Sequence, residues 1–129
     1  MKAHSNSRRA TWLAGVLLLA TISVTAVAGA KLTQPVVFDL TKGSAKGSLA
    51  DARNSADTVQ YIGCQIEGDF AACIAVNSAG EEHSCTTTDP VQLSTIRLIN
   101  DGSYLFFRWA TDGTCFQVTV RNDSRYAPK

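Results

Sequence analysis

From Ser103 to Arg121 apolar and polar residues alternate on either side of Asp112-Gly113, a dipeptide that tolerates the positive φ of a two-residue hairpin turn. Folding back at that turn sets Trp109 opposite Phe116, Phe107 opposite Val118 and Leu105 opposite Val120, which makes one face wholly apolar. The other face carries Tyr104 against Arg121, Phe106 against Thr119, Arg108 against Gln117 and Ala110 against Cys115. A slip of one residue would mix the two sets, so the pattern specifies the register strongly.

A second hairpin is predicted over Val59 to Val76, turning at Gly68-Asp69. Glu67 then faces Phe70, Ile66 faces Ala71, and Cys64 falls opposite Cys73 at a non-hydrogen-bonded position, where Cα atoms approach to about 4.5 Å and a disulfide is in reach. A three-residue loop at Ser78-Ala79-Gly80 returns the chain once more and sets Cys85 opposite Cys73 instead. Two pairings therefore stand: Cys64–Cys73 with Cys85–Cys115, or Cys73–Cys85 with Cys64–Cys115. A third is allowed by counting and favoured by neither turn.

Between the hairpins, Asp89-Pro90 suits a helix start, with aspartate as N-cap and proline at the first helical position. Leu93, Ile96 and Ile99 recur every three residues, Val91 and Leu98 lie near that stripe, and Asn100-Asp101-Gly102 supplies a stop. Upstream, Pro35-Val36-Val37-Phe38 reads as an edge strand with proline at its first residue. Thr41 to Ser48 (TKGSAKGS) is small, polar and glycine-rich and reads as a flexible loop, and Leu49 to Ala56 as a single helical turn or irregular chain. The expected organisation is a leader over residues 1–30, an N-terminal strand and flexible loop over 31–57, a disulfide-stabilised β-rich core over 58–122, and a polar tail over 123–129. The fold class is α+β or mostly β: a small antiparallel sheet domain built from hairpins, with one short helix and two disulfides.

The leader changes the picture of compartment and charge. Lys2, Arg8 and Arg9 give a basic start, Thr11 to Val27 is mostly apolar without charge, and Ala28-Gly29-Ala30 offers the small residues that signal peptidase admits. Trp12 to Ala30 is long enough to span a thin bilayer as a retained anchor, but its Ala, Thr, Ser and Gly make it weakly apolar, so a cleaved signal is the reading taken. Ser7-Arg8-Arg9 resembles a twin-arginine export signal, although Thr11 and Trp12 fit that pattern poorly. Loss of the leader turns a formal charge of +1 into about −2. A chain of that balance is no nucleic-acid binder, because displacing counterions needs a basic field, and no polybasic membrane surface remains once the signal is gone. Four cysteines in a small exported chain read as two structural disulfides. The expected location is secreted or periplasmic.

Candidate chemistry is sparse. His83, beside Glu81, Glu82 and Cys85, is the sole histidine after the leader and the weak catalytic candidate, a general base for a small hydrolase or lyase. The competing reading is a solvated loop residue. Cysteine gaps of eight, eleven and twenty-nine residues, with no C-x-x-C, give no zinc pattern, so neither metal nor cofactor is expected. The aspartates fall mostly at predicted turns and caps. Tyr104, Phe106 and Arg108 form an aromatic and cationic stripe of the kind enriched where proteins meet partners or sugars. Against it, Cys115 is expected on the same face, where a disulfide or the helix would cover the stripe. Asn122-Asp123-Ser124 matches an N-glycosylation acceptor. The functional expectation is a binding or inhibitory module acting through a surface on an extracytoplasmic protein or glycan. The alternatives are the His83 enzyme and a structural envelope protein.

Overall fold

Seven strands and two short helices make up the computed structural model, which describes Gly29 and residues 31–126. The leader expected over residues 1–30 lies, Gly29 apart, outside the described residues. Strands β1 (Val37–Asp39), β2 (Ser44–Ser48), β6 (Tyr104–Trp109) and β7 (Cys115–Arg121) form one antiparallel sheet in the order β1-β2-β6-β7. Strands β3 (Tyr61–Glu67), β4 (Phe70–Val76) and β5 (Glu82–Thr87) form a second, ordered β3-β4-β5. Helix α1 (Leu49–Arg53) follows β2, and α2 (Pro90–Ile96) links the sheets. The inner faces bury Ile62, Ala71, Cys73 and Ala75 from one sheet with Leu105 and Phe107 from the other, and α2 adds Leu93 and Ile96. No helix among the described residues is long and apolar enough to cross a membrane.

The expected hairpin at Gly68-Asp69 forms in the expected register, Gly68 taking φ 60° at the turn. The loop at Ser78–Gly80 also forms as expected, closed by the Asn77 N–H on the Glu81 carbonyl. Cys73 consequently faces Cys64 on one side and Cys85 on the other. It bonds Cys64, with Cα atoms 4.0 Å apart, and Cys85 reaches across to Cys115 on β7 at 4.9 Å. One bridge staples neighbouring strands and the other joins the two sheets.

Helix α2 starts as expected: the Asp89 carboxylate accepts the Gln92 N–H at 2.8 Å, and Pro90 occupies the first turn. It closes at Ile96, so Leu93 and Ile96 are buried while Val91 and Leu98 lie on the solvent side.

Three expectations are corrected. First, Ser44–Ser48 is an interior strand of the four-stranded sheet, where a flexible loop was expected over Thr41 to Ser48. Its inward residues are Ala45 and Gly47, and Gly47 is small because the chain leading into β1 lies close: a Cβ on it would sit 3.2 Å from the Val36 Cα. Such small residues resemble a loop by composition although packing demands them. α1 then starts on Ser48, whose hydroxyl accepts the Asp51 N–H.

Second, the last hairpin keeps its register from Tyr104↔Arg121 to Arg108↔Gln117 and then shifts, pairing Trp109 with Cys115. The loop holds three residues, Thr111 to Gly113, with Gly113 at φ 83° and the Ala110 N–H on the Thr114 carbonyl. This is the three-residue form of hairpin that a left-handed glycine closes. Phe116 is the residue left over, a β-bulge that stands 52% exposed. The longer loop turns Cys115 to the inner face, where it meets Cys85.

Third, the described part of the expected polar tail, residues 123–126, folds back. Ser124–Tyr126 forms a 3₁₀ turn, and the buried Tyr126 ring stacks 5.1 Å from Tyr104. The Leu32 N–H bonds the Arg125 carbonyl at 3.2 Å, so the two ends of the described domain meet.

Candidate functional site

The outer face of the four-stranded sheet is set by strand register. β2 places Ser44 beside Arg108, Lys46 beside Phe106 and Ser48 beside Tyr104, while β7 places Gln117, Thr119 and Arg121 on the other flank of the same three β6 residues. Side chains at alternate positions share a face. Tyr104, Phe106 and Arg108 therefore do line up, and the three-residue loop that turns Cys115 inward removes the disulfide expected to cover them.

The stripe is nevertheless divided. Tyr104 is 8% exposed, sealed by Tyr126, with the Arg121 guanidinium 5.5 Å from its ring centre. Burial pushes its hydroxyl above the ordinary tyrosine range, and the Arg121 charge partly opposes that. The Phe106–Arg108 end is open. There a shallow hollow of about 370 Å³ is lined by Asp39, Ser44, Lys46, Phe106, Arg108 and Gln117. A second, of about 260 Å³, continues past Phe106 between Lys46, Thr119 and Arg121. Phe106 is the floor common to both.

Arg108 is held in place before anything binds. Its Nε and Nη2 both donate to the Lys42 carbonyl at 3.4 Å, and its guanidinium lies 4.3 Å over the bulged Phe116 ring. A guanidinium has five donors in a fixed fork, so the two used leave others for a ligand. Asp39 is the one carboxylate lining the hollow. The Thr41 hydroxyl bonded to it, helped by Lys42, holds its carboxyl below the usual range, and its oxygen pairs with the Lys42 ammonium at 3.3 Å. Lys46, Arg108 and Arg121 form no ion pair among the described residues.

Lys46 and Ser44 were not recognised from sequence because their strand was read as a loop. The alternation Ser44-Ala45-Lys46-Gly47-Ser48, with small residues at every inward position, was the signal available.

His83 lies elsewhere. Its imidazole stacks on Trp109 with ring centres 4.7 Å apart and planes 6° from parallel, and the Phe38 ring meets it edge-on at 4.8 Å. Glu81 accepts instead from the Asn77 amide at 2.7 Å. No carboxylate is hydrogen-bonded to His83 among the described residues, and the ring fills the joint between the two sheets rather than a solvated loop. Asn122, the glycosylation candidate, spends its amide on the Leu98 carbonyl and its oxygen on the Ser103 hydroxyl. Among the described residues no three His, Cys, Asp or Glu side chains converge as a metal site would need.

No family model, curated protein or solved structure matches this chain.

Proposed function

We propose that this chain is an exported, disulfide-stabilised binding or inhibitory module that acts through the outer face of its four-stranded sheet on an extracytoplasmic protein or glycan. The observation that carries the reading is the open groove floored by Phe106, in which Arg108 is hydrogen-bonded to the Lys42 carbonyl and Lys46 forms no ion pair among the described residues. Bound surfaces gain affinity when their contact groups are ordered beforehand, because less side-chain freedom is lost on binding. Of the two disulfides, Cys85–Cys115 ties β7 of this sheet to the other sheet, and both suit an oxidising, extracytoplasmic compartment.

The test is capture from the extracytoplasmic fraction by immobilised, oxidised mature protein, run beside Arg108→Ala/Gln117→Ala. The expected result is saturable capture by the wild type that the double variant loses at unchanged melting temperature. Equal capture by both proteins, or none by either, would overturn this face as the site.

A further inference from the structure

Resting on that reading of the face, we infer that its ligand is an acidic glycan, a chain of sugar rings carrying carboxylates. Charge points to it first. The mature chain is net negative, yet Lys42, Lys46, Arg108 and Arg121 all lie on this face or its rim. Of the protein's eleven acidic residues only Asp39 lines the two hollows, and Lys42 neutralises it. Four of the nine cations that follow the leader gather here, Asp123 lying within electrostatic range of Arg121 alone among them, so an anion arriving at the Lys46–Arg108 end meets a local field opposite in sign to the whole molecule.

The layout of the cations gives the shape of the ligand. Arg108, Lys46 and Arg121 occupy three successive rows of the sheet on three different strands. With strands about 4.8 Å apart and rows about 6.8 Å apart, their Cα atoms step by roughly 8 and then 12 Å. That run needs an extended anion with repeated charges rather than a single small one.

Between the cations lies Phe106, with Ser44, Gln117 and Thr119 around it. A pyranose ring has an apolar C–H face that can cover the phenyl ring, hydroxyls for the surrounding amide and hydroxyl groups, and a carboxylate fixed to the ring for the guanidinium fork. An acidic polypeptide fits less well. Each of its carboxylates sits on a flexible stem whose immobilisation costs about 0.5–1.5 kcal/mol, and the shallow groove has no deep pocket for an anchor side chain.

The test is titration calorimetry of the oxidised mature protein with a short oligogalacturonate, its fully methyl-esterified form, and polyglutamate of equal length. Each is repeated with Lys46→Gln/Arg108→Gln, whose melting temperature is checked first. The expected result is binding of the acid oligomer that weakens as salt rises, little of the ester, and weaker binding of polyglutamate. The double variant should lose about tenfold or more in affinity, equivalent to about 1.4 kcal/mol. Polyglutamate bound as tightly as the acid sugar would transfer the site to acidic polypeptides. Ester bound as tightly as acid, and lost in the variant, would overturn the charge requirement while leaving the face as the site. Binding indifferent to the variant would overturn the placement. If no probe binds while groove-dependent capture persists in the experiment above, only the ligand class falls; if that capture is absent too, both fall.

Discussion

Two residues show how local chemistry fixes positions the fold cannot do without. Gly43, at φ 55°, turns the β1–β2 hairpin so that its carbonyl takes the Trp109 N–H at 2.9 Å, and a Cβ there would stand 2.9 Å from the Trp109 carbonyl oxygen. Sequence marked this glycine only as loop composition, because its constraint comes from a strand more than sixty residues away. Asp57 is the other. It precedes Thr58, the one non-glycine residue at positive φ among those described, and its carboxylate gathers the Val59 and Gln60 N–H groups, the Gln60 amide and the Ser55 hydroxyl. Those bonds, the Gln60 backbone N–H first, lower its pKa from 3.8 to about 2. A carboxyl depressed in the folded state stabilises it above the unfolded value, and that contribution disappears as pH falls through about 2. Asp57→Asn should therefore lower the urea midpoint near neutrality and lose less than the wild type between about pH 5 and pH 2. A variant whose acid loss equals the wild type's would remove Asp57 from the acid response.

At the scale of elements, the bulge at Phe116 governs the last hairpin. Asp112-Gly113 signals a turn correctly, but the same dipeptide serves a two-residue turn and the last two positions of a three-residue loop. Phe116 is apolar and fits opposite Trp109 on paper, so alternation alone could not disclose that it had slipped out. The three-residue loop and the bulge are compensating shifts of one residue each: the first moves Cys115 to face Trp109, and the second restores Arg108 to Gln117. Deleting Phe116 then leaves a regular ladder in which Cys115 still points inward. The deletion variant is expected to fold with both native disulfides and to lose only the Arg108 stack, about 0.5–1 kcal/mol. Peptide mapping that finds Cys115 unpaired would show that the bulge itself aims the cysteine. The hidden strand β2 is the other lesson at this scale. Its partner β6 lies far along the chain, and Gly47 is held small by the chain at Pro35 and Val36 rather than by any preference of its own segment.

For the whole molecule, antiparallel hairpins, one clear helix and two disulfides were legible because each rests on local alternation, caps or turn residues. The division into two sheets was not, since it depends on β2 finding β6 and on Cys85 choosing between partners on different strands. The two bridges do unequal work. Cys85–Cys115 spans 30 residues and Cys64–Cys73 only 9, so loop-closure entropy assigns them about 3.6 and 2.6 kcal/mol. The first also joins the sheets, while the second links strands already paired by hydrogen bonds. Cys85→Ala/Cys115→Ala should accordingly unfold at a lower guanidinium concentration than Cys64→Ala/Cys73→Ala. The reverse order would mean that the inter-sheet contact stands without its bridge.

The register of the three-stranded sheet has a kinetic corollary. Cys64, Cys73 and Cys85 stand abreast, with Cys73 in the middle, so a thiolate on either flank can attack a bridge formed on the other by direct exchange. During oxidation the central sulfur is shared, and Cys115 acts as the arbiter that withdraws Cys85 from the contest. Cys115→Ala leaves that contest open: bridge mapping under a glutathione couple should recover Cys64–Cys73 and Cys73–Cys85 side by side. Recovery of Cys64–Cys73 alone would mean that the first hairpin claims its partner without an arbiter.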